Sequence, residues 1–198
     1  MKKALAIILS VLLADQALKI WVKTTMILGQ EHHIADWFIL HFTENVGMAF
    51  GMELGGDYGK LALSIFRILA VMAIGYYLFK VAKEGASNVV IIALSLVFAG
   101  ALGNIIDSAF YGIIFSESYG QVASVFPENG GYANLLFGRV VDMLYFPIIE
   151  GHFPSWFPFW ANEHFLFFRP VFNIADSAIS VGMGIVILFQ KQFLSDEA

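Results

Sequence analysis

Four apolar runs of membrane-spanning length constrain this chain more than any other feature. They cover roughly residues 4–22, 61–79, 89–107 and 171–189, and each can cross about 30 Å of hydrocarbon at about 1.5 Å of helical rise per residue. The 198 residues are 59% hydrophobic and 14% charged, whereas soluble domains are about 25% charged. We therefore predict an α-helical membrane protein, a single domain over residues 1–198 with four transmembrane helices.

The remaining composition excludes several kinds of site. A net charge of -5 argues against a nucleic-acid partner, because a phosphate backbone needs a basic face. The absence of cysteine rules out a disulfide framework, a thiolate nucleophile and a cysteine-ligated zinc. The five histidines form no H-E-x-x-H pattern, and no G-x-S-x-G sequence supplies a serine nucleophile. We expect neither a metal nor an organic cofactor.

The distribution of lysine and arginine predicts that both termini are cytoplasmic. The N-terminus and the short turn at 80–88 dominate the orientation, because long loops cross a membrane largely regardless of their charge. The inner basic set is then Lys2, Lys3, Lys80, Lys83 and Lys191, and the outer set is Lys23, Lys60, Arg139 and Arg169.

Two segments are therefore expected on the outer face. The first, about 23–60, contains the apolar stretch 37–42, which predicts a short strand, and then a glycine-rich stretch from Gly47 to Gly59. The second, about 108–170, is a long loop with an aromatic–proline cluster at its far end. Rings at that density favour the lipid headgroup region. The alternative is a loop packed on top of the bundle, and both can hold.

The first apolar run carries an internal pair of opposite charges. Its start resembles a secretory signal peptide, but the pattern continues through Asp15 and Lys19 to Val22, so we expect a retained helix. Asp15 and Lys19 lie four residues apart with the acid first, which places them on one helix face in the favourable order for an ion pair. We expect this pair to be structural.

Further polar residues lie where lipid is expected. Asn104 and Asp107 share a helix face at the end of the third run, and Asn173 and Asp176 repeat that spacing at the start of the fourth. A charged carboxylate in such a segment costs about 2.5–3.5 kcal/mol at the membrane centre, so Asp176 is presumed functional. Arg67, in the second run, is explained most simply by a side chain that reaches back to the interface.

Asp142 is the acid most able to meet Asp176. It follows Arg139-Val140-Val141 and precedes further apolar residues, which predicts a short extended or re-entrant piece on the outer face. Asp176 lies only about 9 Å along a helix from Pro170. Two carboxyls held close share a proton and can activate water for attack on a peptide carbonyl. A proton- or ion-coupled transporter would use the same residues, and a structural membrane protein is a third alternative.

Five short motifs occur in an order that resembles lipoprotein signal peptidase, also called signal peptidase II. They extend over all four apolar runs and so over most of the chain. The small residues of the third run, Gly100-Ala101-Leu102-Gly103, are expected to permit close helix packing beside one of these motifs. The five are Asp15-Gln16-Ala17-Leu18-Lys19, Asn45-Val46-Gly47-Met48-Ala49-Phe50, Gly103-Asn104-Ile105-Ile106-Asp107, Val140-Val141-Asp142 and Phe172-Asn173-Ile174-Ala175-Asp176.

The resemblance implies an aspartyl peptidase of the bacterial inner membrane. Such enzymes remove the signal peptide from prolipoproteins, cutting before a cysteine that already carries a diacylglyceryl group. Asp142 and Asp176 would be the catalytic pair, near the periplasmic face. Residues implied to bind substrate or support the site are Asn45, Asn104, Asp107 and Asn173, while Asp15 and Lys19 match a motif with a mainly structural role. The expected partners are the lipid-modified substrate and membrane lipid, with the enzyme a monomer.

The chain departs from the family pattern in two respects. The family usually has an arginine directly after the Asp107 position, and this chain has Ser108. Arg139, three residues before Asp142, is our candidate to supply that charge. The outer segments 108–139 and 143–170 are also longer than usual, and the aromatic loop is a candidate lid or lipid-facing platform.

Overall fold

The computed structural model describes residues 1–46, 56–167 and 170–194. Part of the predicted glycine-rich stretch, residues 47–55, and Arg169 of the outer basic set lie outside the described residues. The described part is a helical bundle with a small sheet at one end. Its helices are α1 (Lys2–Thr25), α2 (Gly56–Glu84), α3 (Asn88–Ile106), α4 (Gly112–Ile114), α5 (Ile174–Leu188) and α6 (Gln190–Leu194), and a π-helical turn at Asp107–Tyr111 joins α3 to α4.

Three of the four predicted spans are confirmed as long apolar helices. Among the described residues, Lys2–Thr25, Tyr58–Glu84 and Asn88–Ile114 are long and apolar enough to cross a membrane. The fourth run forms only the 15-residue α5. It is shorter than predicted because Asn173 caps the helix and the residues before the cap pair with a strand instead of extending the helix.

Helix α3 is the centre of the bundle, and α1, α2 and α5 pack against it. The approach of α5 is very close at Gly100, where an added Cβ atom would lie 2.2 Å from the backbone oxygen of Ala175. At Gly103 the nearest atom to such a Cβ would be a carboxylate oxygen of Asp15, at 2.9 Å. The small residues of the third run therefore permit close helix packing, as their spacing predicted.

An antiparallel sheet of three strands lies at one end of the bundle. Its order is β1 (Glu31–Ala35), β2 (Phe38–Asn45) and β3 (Val140–Tyr145). The predicted strand at 37–42 is thus confirmed as β2, and the segment around Asp142 is extended. One side of the sheet is buried against the ends of α1 and of the π-helical turn, in a core formed by Val22, Met26, Leu40, Phe42, Tyr111, Phe115, Ala123, Val141 and Met143.

The long loop before α5 contains a second, two-stranded sheet that the sequence did not predict. It is a hairpin of β4 (Ile149–His152) and β5 (His164–Phe167). Between the strands, the rings of Phe153, Phe157 and Trp160 stack on one another at centroid distances of 5.1 to 6.0 Å. Trp156 and Phe159 are 77% and 79% exposed, so the bundle does not bury these rings.

Candidate active site

Backbone hydrogen bonds join the two segments that carry Asp142 and Asp176. The N–H of Leu144 donates to the carbonyl oxygen of Phe172 at 2.7 Å, and the N–H of Phe172 donates to that of Leu144 at 3.0 Å. Phe172 immediately precedes Asn173, the N-cap of α5. The end of β3 and the first turn of α5 are therefore held side by side, which brings the two acids to one place.

Both acids line a single cavity of about 420 Å³, a size typical of a small-molecule or peptide site. Its walls come from α2, α3, α5 and the sheet. Asn45 and Val140 are paired neighbours on β2 and β3, and both line the cavity. Most of the lining is apolar; the residues are Asn45, Phe66, Arg67, Ala70, Val71, Ile74, Ala101, Asn104, Ile105, Val140, Asp142, Asp176 and Ile179.

Asp176 lies in the first turn of α5 and takes part in its capping box. The side-chain oxygen of Asn173 accepts from the N–H of Asp176 at 2.9 Å, and Oδ2 of Asp176 accepts from the N–H of Asn173 at 3.3 Å. Oδ1 of Asp176 accepts from the amide nitrogen of Asn104 at 2.8 Å. Amide donors and the positive end of the helix dipole both favour a carboxylate at this position.

Asp142 has a different environment on β3. It is only 5% exposed, and its Oδ1 accepts a 2.7 Å hydrogen bond from the side-chain amide of Asn173. Burial, and then the nearby charge of Asp176, raise the pKa of Asp142 to about 7. The two acids are therefore close enough to influence one another, and a pair held in this way titrates as a unit.

A fully buried lysine lies beneath the pair. Nζ of Lys19 contacts carboxylate oxygens of Asp15 at 2.9 Å and of Asp107 at 2.8 Å, so the ion pair predicted within the first helix is present and extends to α3. Nζ also donates to Oδ1 of Asn104 at 2.9 Å. Because an ammonium group can only donate, the oxygen of Asn104 must face Lys19, and its NH₂ group must face Asp176.

Asp107 connects this lysine to the sheet. One of its carboxylate oxygens accepts from the backbone N–H of Val141 at 3.1 Å, and the other accepts from the amide of Gln16 at 2.9 Å. Asp15 in turn accepts from the N–H of Ala175 at 2.9 Å. Val141 and Ala175, which immediately precede Asp142 and Asp176, are therefore each held by a hydrogen bond to a buried acid.

Arg139 is not among the residues that line the cavity, contrary to the expectation that it supplies a charge there. Its guanidinium group contacts Glu44 at 2.9 Å and Glu117 at 2.7 Å. Glu44 also pairs with Lys23, a fully buried residue. Arg139 immediately precedes β3, and in extended backbone a residue three positions from Asp142 points to the opposite face.

The arginine that does line the cavity is Arg67 of α2. Its place in an apolar run had favoured a side chain that reaches back to the interface. Gln16 and Glu44 were not identified as important at all, since neither polar residue stood out in its local pattern. Ser108, at the position where the family has arginine, donates from its hydroxyl to the backbone oxygen of Asn104 at 3.0 Å. Among residues 1–46, 56–167 and 170–194, no group of three or more potential ligands is placed to hold a metal ion.

Comparison with known proteins identifies the family. The family model described as "Signal peptidase (SPase) II" matches residues 7–191. The chain is 55% identical over 195 residues to a lipoprotein signal peptidase of Porphyromonas gingivalis, covering 98% of this chain and 85% of that protein. It is 39% identical over 194 residues to one of Amoebophilus asiaticus, covering 96% and 78%.

Solved structures show the same fold. One, a bacterial membrane enzyme determined by the in meso method at 2.3 Å resolution, gives a TM-score of 0.65 at 24% identity, covering all of this chain and 93% of that chain. A second, determined by the same method at 1.9 Å, gives 0.62 at 26% identity, covering 95% and 92%. The family match selects a protease over the transporter and structural alternatives, and the chain therefore belongs to the signal peptidase II family.

Proposed function

We propose that this protein is an aspartyl endopeptidase that removes the signal peptide from diacylglyceryl-modified prolipoproteins, cutting before the lipidated cysteine. The observation that carries the proposal is that Asp142 and Asp176, 34 positions apart in the chain, line one cavity with mostly apolar walls. Family membership supports the substrate class, since relatives at 55% and 39% identity are named lipoprotein signal peptidases.

The two acids would divide the chemistry of hydrolysis between them. A water molecule between the carboxyls loses a proton to the ionised one while its oxygen bonds to the scissile carbonyl carbon. The protonated carboxyl gives its proton to the carbonyl oxygen, so a neutral diol forms. That carboxyl then takes a proton back from the diol, the other protonates the amide nitrogen, and the C–N bond breaks to release an amine and a carboxylic acid.

The polar residues around the pair have supporting roles in this proposal. Asn104 and Asn173 each donate an amide hydrogen bond to one of the two acids, and Asn45 lines the cavity. Asp107 and Asp15 hold the backbone on either side through Val141 and Ala175, respectively. Arg139 acts indirectly, by holding the start of β3 against Glu44.

The surroundings of the cavity suit a substrate that is anchored in lipid. We place the enzyme in the bacterial inner membrane as a monomer, with both termini cytoplasmic and the cavity near the periplasmic face. The scissile bond of a lipid-anchored precursor lies near the outer leaflet surface, and apolar side chains of α2 and α5 lead to the acids. The uncharged aromatic tip of the hairpin, residues 153–160, would lie among the lipid headgroups, where such rings are favoured.

Cleavage of a lipid-modified precursor by the purified protein tests the proposal directly. The shortened product is expected with wild-type protein and not with Asp142→Asn or Asp176→Asn. Asp36→Asn is the matched control, because it removes an exposed carboxylate from the turn between β1 and β2 and should leave cleavage unchanged. Normal processing by either cavity variant would show that the assignment is wrong.

Two further comparisons define the reaction class. The same precursor without its diacylglyceryl group should be cut poorly, because the apolar walls then have no acyl chains to bind. Full activity is expected in excess chelator, since the proposed mechanism uses carboxyls and water alone. Loss of cleavage on chelation that returns with added metal would contradict the two-acid mechanism.

A further inference from the structure

Arg67 is a charged residue well inside a membrane-length helix. It lies about 16 Å along α2 from Gly56 by helical rise, is half-buried, and lines the cavity that contains Asp142 and Asp176. An arginine in such a segment is costly to place in lipid and normally faces the bundle interior or a polar cavity. Its position in the cavity wall, rather than at the end of the helix, is not that of a side chain that merely reaches to the interface.

Arg67 and Asp176 line the same cavity. The two are close enough for the guanidinium charge to act on the carboxylate. Asp176 is also the acid that accepts hydrogen bonds from Asn104 and from the N–H of Asn173, at the positive end of a helix. The carboxylate of Asp176 therefore has two hydrogen-bond donors and a nearby cation around it.

The other charges facing the pair largely offset one another. From α1 come Asp15 and Lys19, and from the π-helical turn comes Asp107; the single charge of Lys19 is shared between those two acids. Lys19 and Asp107 act on Asp142 in opposite senses. This leaves Arg67 as the cation of the described residues whose effect falls mainly on one member of the pair.

We propose that Arg67 is a positioning residue that holds Asp176 as the carboxylate, so that the proton shared by the pair resides on Asp142. This inference rests on the proposed function of the two acids. It assigns their roles: Asp176 takes the proton from the attacking water, and Asp142 gives its proton to the carbonyl oxygen. The raised pKa of Asp142, about 7, is consistent with that role at neutral pH.

The test is the pH dependence of kcat/KM for cleavage of the lipid-modified precursor by full-length Arg67→Gln. The acidic limb reports formation of the catalytic carboxylate. Without the guanidinium charge, this limb should move up by about one pH unit, the lower end of the effect of a neighbouring opposite charge. Activity at low pH then falls up to about tenfold and largely recovers at higher pH. Arg67→Lys should restore most of the wild-type profile.

Lys83→Gln is the matched control, because it neutralises an exposed cation at the far end of the same helix; its profile should superimpose on that of wild type. Three results for Arg67→Gln would overturn the inference: a wild-type profile, a uniform loss of kcat at every pH, or a rise in KM alone. These differ from failure of the proposed function, which would appear as cleavage by Asp142→Asn or Asp176→Asn.

A second measurement does not depend on how well Arg67→Gln folds. Infrared difference spectra between acidic and alkaline pH should contain a protonated-carboxyl band that is lost in Asp142→Asn. In Asp176→Asn the band should be kept but should titrate at a lower pH, because the charge that helps to raise the pKa of Asp142 is gone. Loss of the band in Asp176→Asn, with retention in Asp142→Asn, would place the proton on the other acid and contradict the role of Arg67.

Discussion

The side-chain amide of Asn104 donates a 2.8 Å hydrogen bond to Oδ1 of Asp176. The amide cannot turn around, because its oxygen already accepts from Lys19 and from Asn173. Lys19 on α1 therefore determines that Asn104 on α3 presents its NH₂ group to Asp176 on α5.

Replacing Lys19 with Met should be strongly destabilising. The substitution leaves Asp15 and Asp107 buried without their counter-charge, and breaking a buried ion pair in this way costs about 3–5 kcal/mol. Thermal unfolding in detergent or nanodiscs measures the effect. Lys3→Met, which removes an exposed hydrogen bond on the same helix, serves as control. Asp107→Asn combined with Lys19→Met should recover part of the lost stability. Equal melting temperatures for Lys19→Met and Lys3→Met would contradict the structural role of Lys19.

Stability should depend on pH through Asp142. Its pKa in the folded protein, about 7, lies above the ordinary 3.8, so between these values the folded state binds the proton more tightly than the unfolded chain. The stability from this carboxyl is fully present below about pH 4 and is lost as the pH rises through about 7.

The variant Asp142→Asn should therefore be more stable than wild type at pH 8 but not at pH 4. A rise in Tm of at least about 2 °C is expected at pH 8, the shift that ~1 kcal/mol gives in a chain of this size. Asp36→Asn controls for the loss of a carboxylate at an exposed site. A Tm difference that is the same at both pH values would argue against a buried, protonated Asp142.

Arg139→Ala should affect stability more than catalysis. It leaves Glu44, a residue with a 2% exposed side chain, with fewer donors, and the loss of a hydrogen bond to a charged group costs about 1–3 kcal/mol. Lys23 remains to pair with Glu44. Turnover per folded molecule should fall less than about tenfold, which corresponds to ~1.4 kcal/mol. A loss of turnover comparable to that of Asp142→Asn would instead indicate that Arg139 acts at the substrate site.

The aromatic hairpin should contact lipid. The chain has four tryptophans, of which Trp156 and Trp160 lie at the hairpin tip, so Trp21→Phe combined with Trp37→Phe leaves fluorescence from the hairpin alone. In nanodiscs, lipids brominated near the headgroup should quench this signal strongly and acrylamide should quench it weakly. The reverse pattern would place the hairpin in water.

Much of the bundle could be predicted from the sequence because membrane length and apolar runs are local properties. The ion pair between Asp15 and Lys19 followed from their spacing alone. The length of α5 did not, since Phe172 is drawn into pairing with Leu144, a contact between residues 28 positions apart. Strands β1, β4 and β5 were missed for a similar reason, because their pairing depends on partners and not on a clear alternation of apolar and polar residues.

In the candidate site, too, the features that depend on local sequence could be predicted, and those that depend on packing could not. The acids were chosen from the cost of charge in apolar segments and from the family resemblance, which need only the sequence. The positions of the two arginines relative to the cavity could not be predicted, because which side chains of β3 or α2 point to a cavity depends on how those elements pack. Arg139 is near Asp142 in the chain and turned away, whereas Arg67 is distant in the chain and lines the cavity.

Gly100 has a consequence for the acids although it bears no functional group. The carbonyl of Ala175 occupies the space that any side chain at position 100 would need, and the next residue is Asp176. A methyl group at this position would push the first turn of α5 away from α3. The hydrogen bond that Asn104 donates to Asp176 would then lengthen. The alignment of the proton-transfer groups therefore depends on the absence of a side chain on a neighbouring helix as well as on the acids themselves.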